Sequence, residues 1–233
     1  MIFRIPREHV FPDPNRADPS GLLGVGGDLH PARVLLAYRM GIFPWYSEGQ
    51  PILWWSPDPR FVLYLRDLRV QRSLAKRIRQ RPYRITLDRA FDDVLVRCAR
   101  TARPGQDGTW ITDAVRRAYL ALHEAGHAHS VEAWEGDELV GGLYGVSVGM
   151  AFAGESMFST RPDASKIAFV HVARQLARWG YPLVDSQVHT AHLERFGARE
   201  VPRATWLGEL AGLVDQPGRP GPWAFDADFV VDG

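Results

Sequence analysis

Residues 149–166 read "GMAFAGESMFSTRPDASK", and the strand-like apolar part of it, 150–158, has a single carboxylate, Glu155, in its middle. An ionised carboxylate taken out of water is costly unless it is paired or hydrogen-bonded, so Glu155 needs a partner or a task. Upstream lie two more strand candidates, "AHSVEAW" (128–134) and "ELVGGLYGVSV" (138–148), joined by a Glu-Gly-Asp turn; with "MAFAGESMF" (150–158) they read as an antiparallel meander. Downstream, a helix from Ser165 to Trp179 stops at Gly180, and the strand "PLVDSQV" (182–188) follows. A short helix, "TAHLERFG" (190–197), and an edge strand near "AREV" (198–201) complete the run. Strands followed by helix, strand, helix and strand predict an α+β, or mixed α/β, domain.

Further upstream, "DLRVQRSLAKRIRQ" (67–80) reads as a helix, and a second runs through "DAVRRAYLALHEAG" (113–126) with Thr112 as its N-cap. Before residue 61 the character changes. Nine of the 17 prolines stand in the first 60 residues, which predicts turns and short extended pieces interrupted by one helix, "PARVLLAYRMG" (31–41). The expected division is a small domain over 1–60, rich in proline and tryptophan, and a larger one over 61–233.

The 233 residues are 45% apolar and 24% charged, enough for a real core. A formal charge of +1 means that attraction to a polyanion must come from a local patch. A single cysteine, Cys98, rules out an internal disulfide and a cysteine-based metal site. Neither a run of about 18 apolar residues nor a signal-peptide core in "MIFRIPREHVFPDP" is found, so the expected location is the cytoplasm, without membrane attachment.

Three patterns imitate known sites. "HEAGH" (123–127) matches the zinc-protease spacing, but Gly126 should end the helix one residue before His127. "GESMF" has Phe158 where a nucleophile elbow needs its second glycine, and "GVGG" (24–27) lacks the spacing of a phosphate-binding fingerprint. What remains is an acid and an amide on one strand. A period of two puts Asp185 and Gln187 on one face of "PLVDSQV", and puts Ala153, Glu155 and Met157 together opposite Phe152 and Gly154. On neighbouring strands Glu155, Asp185 and Gln187 would share a polar pocket; the alternative is a buried hydrogen-bond network or a helix cap. Residues 66–84 carry eight basic side chains against one acid, either a solvated helix face or a nucleic-acid contact. Trp45 and Trp110 read first as core residues, with platforms for a base as the alternative.

In this order "GLLGVGGDL", "AYRMGIFPWY", "ILWWSPDPR", "GTWIT", "AYLALHEAGHAHSVE", "LVGGLYGV", "FAGESMFS", "ASKIAFVH" and "VDSQV" resemble the leucyl/phenylalanyl-tRNA–protein transferase family over about residues 10–203. The resemblance implies transfer of Leu or Phe from aminoacyl-tRNA to the N-terminal Arg or Lys of a protein, which marks it for degradation by the N-degron pathway. It also implies a C-terminal domain of acetyltransferase-like (GNAT) fold, no metal and no soluble cofactor; the expected state is a monomer. By similarity Gln187 contacts the attacking amine, Asp185 polarises or relays through Gln187, and Glu155 orients the acceptor. Leu143, Phe152 and Met157 match the walls of the aminoacyl pocket, although the family favours Met where Leu143 stands and Cys where Ser186 stands. Trp45 and Trp110, with Tyr38 and Tyr119 nearby, match the residues that hold the terminal adenosine. Arg72, Lys76, Arg77 and Arg79 would meet tRNA phosphates. Two rivals fit less well: an acetyl-CoA enzyme should carry a glycine-rich loop where "TRPDAS" (160–165) stands, and a non-catalytic RNA binder has no use for Asp185 or Gln187.

Overall fold

Prolines and glycines keep the first strands short. In the computed structural model, which describes residues 2–101 and 109–231, β1 (Phe3–Ile5), β2 (Leu22–Gly26), β3 (Phe43–Pro44) and β4 (Leu53–Trp55) form a sheet of order β1-β2-β4-β3. Gly108, which opens "GTWIT", lies outside the described residues. Helix α1 (Pro31–Arg39) starts on a proline, as its sequence predicts, and ends before Gly41, whose φ of +70° suits a residue without Cβ.

From Arg60 onward the chain builds a second sheet. Its strands are β5 (Arg60–Tyr64), β6 (Arg84–Leu87), β7 (Ala128–Glu135), β8 (Glu138–Val148), β9 (Ala151–Ser159), β10 (Leu183–Gln187) and β11 (Arg199–Val201), in the order β11-β5-β10-β9-β8-β7-β6. The meander β7–β8–β9 and the edge position of β11 match the sequence expectation. Six further helices join them: α2 (Arg72–Arg79), α3 (Phe91–Arg100), α4 (Asp113–Glu124), α5 (Ala164–Arg178), α6 (Ala191–Glu194) and α7 (Arg203–Ala211). The architecture is mixed α/β. Helix α2 is shorter than expected because Leu65–Asp67 forms a separate 3-10 turn and Leu68 is extended. Helices α3 and α7 and strands β5 and β6 carried no expectation, although Phe91, Val94, Leu95 and Cys98 do repeat at helical spacing along the buried face of α3.

One sheet face packs Ala151, Ala153 and Phe158 against residues of α1, α3 and α4, and the other packs Phe152, Leu143 and Val184 against α5 and α2. Within this sheet β9 and β10 make a parallel pair, joined by the crossover helix α5, whereas the other pairings are antiparallel. The parallel pairing runs only from Leu183↔Ala151 to Asp185↔Ala153. Beyond it both strands bulge.

Candidate active site

The two bulges build the site. On β9 the register passes from Gly145↔Gly154 to Tyr144↔Ser156, so Glu155 is an extra residue. A bulge resets the alternation, and Met157 therefore joins Phe152 on one face while Phe158 joins Ala153 on the other. A simple period of two puts Met157 beside Ala153 and opposite Phe152; the bulge corrects that. On β10 the register shifts between Asp185 and Gln187, and Gln187 sits at φ +63°, a left-handed conformation that costs a non-glycine residue about 1–2 kcal/mol. Asp185 and Gln187 consequently do not simply share a strand face.

Between the parted strands lies a cavity of about 580 Å³. Leu143, Phe152, Met157, Phe169 and Val184 form its apolar wall, Glu155, Ser156, Ser186 and Gln187 its polar side, and Trp45 and Trp110 stand on the aromatic side with Phe43. His189, Thr190, His192 and Leu193 close the rim. Gly145 permits the tight packing underneath, because a Cβ there would come within 2.4 Å of the Phe152 ring.

Glu155 is half-buried with one edge on the cavity. The Gln187 Nε2–H donates to its Oε1 at 2.7 Å and the Tyr119 hydroxyl donates to its Oε2 at 3.4 Å. Tyr38 completes the chain, with its oxygen 2.5 Å from that of Tyr119. Burial pushes the Glu155 carboxyl up to about 7, the hydrogen bonds from Tyr38, Gln187 and Tyr119 oppose the rise, and the negative charge of Asp185 adds to it. Desolvation, then Glu155 itself, raises both phenols well above their ordinary range, so they remain protonated donors. Tyr38 and Tyr119 thus lie beneath Glu155 and are not part of the cavity wall, where the sequence reading grouped them with the tryptophans.

Asp185 also lies behind the wall. Its carboxylate takes two bonds from the Arg60 guanidinium, at 2.8 and 2.6 Å, and one from the Gln187 backbone N–H at 3.0 Å. Arg60 is 1% and Asp185 3% exposed, so this is a fully buried ion pair. Arg60 further donates to the Gly41 carbonyl at 3.0 Å and lies over the rings of Phe43 and Trp206. The pair ties the loop before Trp45 to the strand bearing Gln187. Arg60 stands in the quoted block "ILWWSPDPR", yet the sequence gives no sign that its partner is Asp185.

On α2, Leu74 and Ile78 face the core. Arg72, Lys76 and Arg79 are exposed, whereas Arg77 is half-buried. The "HEAGH" stretch behaves as its glycine dictates: α4 ends at Glu124, Gly126 turns at φ +78°, and the His123 Nδ1 bonds to the Ala128 carbonyl.

A family model described as leucyl/phenylalanyl-tRNA protein transferase matches residues 62–211, and the model of that family's N-terminal domain matches residues 27–58. A leucyl/phenylalanyl-tRNA–protein transferase of Anaeromyxobacter sp. (strain Fw109-5) is 61% identical over 226 residues, 97% of this chain and 96% of the relative. One from Myxococcus xanthus (strain DK1622) is 56% identical over 95% of this chain and 96% of the relative. Among solved structures, a functionally unknown conserved protein from Staphylococcus epidermidis ATCC 12228 superposes with a TM-score of 0.43 at 12% identity, over 78% of this chain and 68% of that one, a likeness too loose to build on. At these identities and coverages the chain belongs to the leucyl/phenylalanyl-tRNA–protein transferase family.

Proposed function

We propose that the protein transfers Leu or Phe from aminoacyl-tRNA to the N-terminal Arg or Lys of acceptor proteins and so creates an N-degron. The observation that carries this reading is the Gln187 amide bonded to Glu155 at 2.7 Å on the floor of a cavity with an apolar wall and two tryptophans. Leu143, Phe152 and Met157 take the aminoacyl side chain, and Trp45 and Trp110 flank the terminal adenosine. The exposed face of Arg72, Lys76 and Arg79, with Arg77 beside it, meets tRNA phosphates.

The reaction is aminolysis of an ester. The acceptor nitrogen attacks the carbonyl carbon, a C–N bond forms, the C–O bond to the ribose breaks, and the ribose oxygen takes up a proton. An α-amine of pKa near 7.7–8.0 is only roughly a tenth to a sixth deprotonated at pH 7, so the amine must lose a proton on the way. A carboxylate can only accept hydrogen bonds, so the Gln187 amide spends an N–H on Glu155 and leaves its Oε1 to accept from the incoming amine. Glu155, titrating at about 7, is matched to take the proton, and a cationic peptide end beside it offsets the cost of its charge. Asp185 acts as a positioning residue: held by Arg60, it fixes the Gln187 backbone in the left-handed turn that aims the amide. Because the ester is already activated, no metal or soluble cofactor is required.

We read residues 61–233 as a GNAT-like unit next to a small 1–60 domain. Support comes from the parallel strand pair that parts at two bulges to open the cavity. The protein acts as a monomer in the cytoplasm; among the described residues no helix is long and apolar enough to cross a membrane. The test is transfer of labelled Leu from charged tRNA to a protein bearing N-terminal Arg. Transfer by the wild type that falls by about 10² in Gln187→Ala, with donor affinity within a few-fold, supports the reading. Wild-type inactivity with both Leu and Phe donors contradicts it.

A further inference from the structure

Beside the main cavity lies a crevice of about 60 Å³ between the start of α2 (Gln71, Ser73, Leu74), the start of α5 (Asp163, Lys166) and the end of α6 (His192, Arg195, Phe196). His192 lines both spaces, so the crevice opens off the cavity's rim. Its electrostatics are lopsided. Lys166 pairs with Asp163 at 2.7 Å, but Arg195 has no carboxylate partner among the described residues. The His192 Nε2 is buried and unbonded among the described residues, and the positive charges of Lys166 and Arg195, after burial, hold its ring below the usual histidine range. A buried, unbonded ring nitrogen facing two cations, of which only Lys166 has a carboxylate partner, is a poor site for a peptide cation or an apolar chain and a good one for an anion. The crevice, about 60 Å³ beside the 580 Å³ of the main cavity, is much the narrower space and admits the oxygens of a phosphate.

We propose that this crevice holds a backbone phosphate of the single-stranded 3′ end of the donor RNA as it leaves the cavity, with Arg195, Lys166 and His192 as its ligands. It forms a bridge between the rim of the cavity and the exposed cations of α2, and it rests on the transfer reading given above. A donor that ends at the aminoacyl nucleoside has no such phosphate and does not use the crevice.

The test compares Arg195→Ala with wild type on three Leu donors: 3′-aminoacyl-adenosine, an aminoacylated trinucleotide and charged tRNA. Arg195 is exposed, so the substitution is tolerated; Arg195→Lys is the second variant. The expected result is a loss of about tenfold in kcat/KM with the trinucleotide and the charged tRNA and less than twofold with aminoacyl-adenosine. Arg195→Lys retains most of the activity, and the slope of log K against log salt for the trinucleotide falls by about 0.7 in Arg195→Ala. An equal loss on all three donors, as an acceptor-side or purely structural role gives, overturns the proposal, and so does no loss on any. A wild type inert with every donor overturns the transfer reading, and the proposal with it.

Discussion

Glu132 and Glu155 are two carboxylates of the same sheet, on β7 and β9 with β8 between them, one fully buried and the other half-buried, and they differ in what encloses them. Glu132 is 0% exposed and closed on all sides: Thr86 Oγ1 and Ser130 Oγ donate to it at 2.5 Å each, and the Ala90 N–H at 3.3 Å. Glu155 has an amide and a phenol on one side and an open cavity on the other. Burial raises both carboxyls from their ordinary value. Desolvation therefore does not by itself mark a reacting group. The difference is an unfilled side, and the β9 bulge creates it by lifting Glu155 out of the ladder beside a parted strand pair.

Exchanging each acid for its amide tests that contrast most severely. Glu155→Gln should lower turnover by about 10² or more with little change in stability, since Gln still accepts a hydrogen bond but cannot take a proton at neutral pH. Glu132→Gln should leave turnover within about threefold and act on the unfolding midpoint alone, by stranding a buried NH2 among donors. Equal loss of turnover in two folded variants would erase the distinction.

The ion pair behind the site sharpens it further. Arg60→Met leaves Asp185 charged and unpaired in the interior, for an expected loss of about 3–5 kcal/mol in urea unfolding. Adding Asp185→Asn should recover part of the stability, because the charge is gone while an acceptor for the Gln187 N–H remains. Full activity of Arg60→Met would detach the pair from the positioning of Gln187.

Smaller effects lie at the periphery. Replacing Arg72, Lys76 and Arg79 together by Ala should weaken tRNA binding about tenfold and flatten its salt dependence; an unchanged slope would mean a merely solvated face. Met157→Val, in the apolar wall, should shift the Leu:Phe ratio of kcat/KM a few-fold against Phe, because an unbranched thioether reshapes around a ring and a β-branched side chain does not. Donor competition at fixed acceptor concentration measures that ratio.

Much of this was legible in the sequence, and the gaps have physical causes. The β7–β8–β9 meander, the helix after it and strand β10 follow from periodicity and glycine stops, whereas the pairing of β9 with β10 stays one of two alternatives until the structure shows it. Glu155 stood out as an acid in an apolar strand. Glu132 carries the same signature in "AHSVEAW", and only tertiary structure reveals that three donors enclose it. Met157 was misplaced because alternation holds only until a bulge, and a lone Gly154 does not say which residue will be the extra one. Arg60 and Asp185 stand 125 residues apart, and the bond between Tyr38 and Tyr119 spans 81, distances at which no local pattern gives warning.

On the transfer reading proposed above, Glu155, raised by burial to a pKa of about 7, takes the proton of the attacking amine. Its folded value lies above the ordinary carboxylate range, so between about 4.5 and 7 the folded state binds the proton that the unfolded chain releases, and stability falls as pH rises through that window. Activity should move the other way, since only the ionised carboxylate accepts a proton. The deciding measurement is the pH dependence of single-turnover Leu transfer from charged tRNA to a peptide with N-terminal Arg, in wild type and Glu155→Gln. The account predicts a wild-type rate that rises through a limb centred near pH 7, and a slow variant in which that limb is missing and only the amine's own titration remains. Superimposable profiles in the two proteins would contradict it.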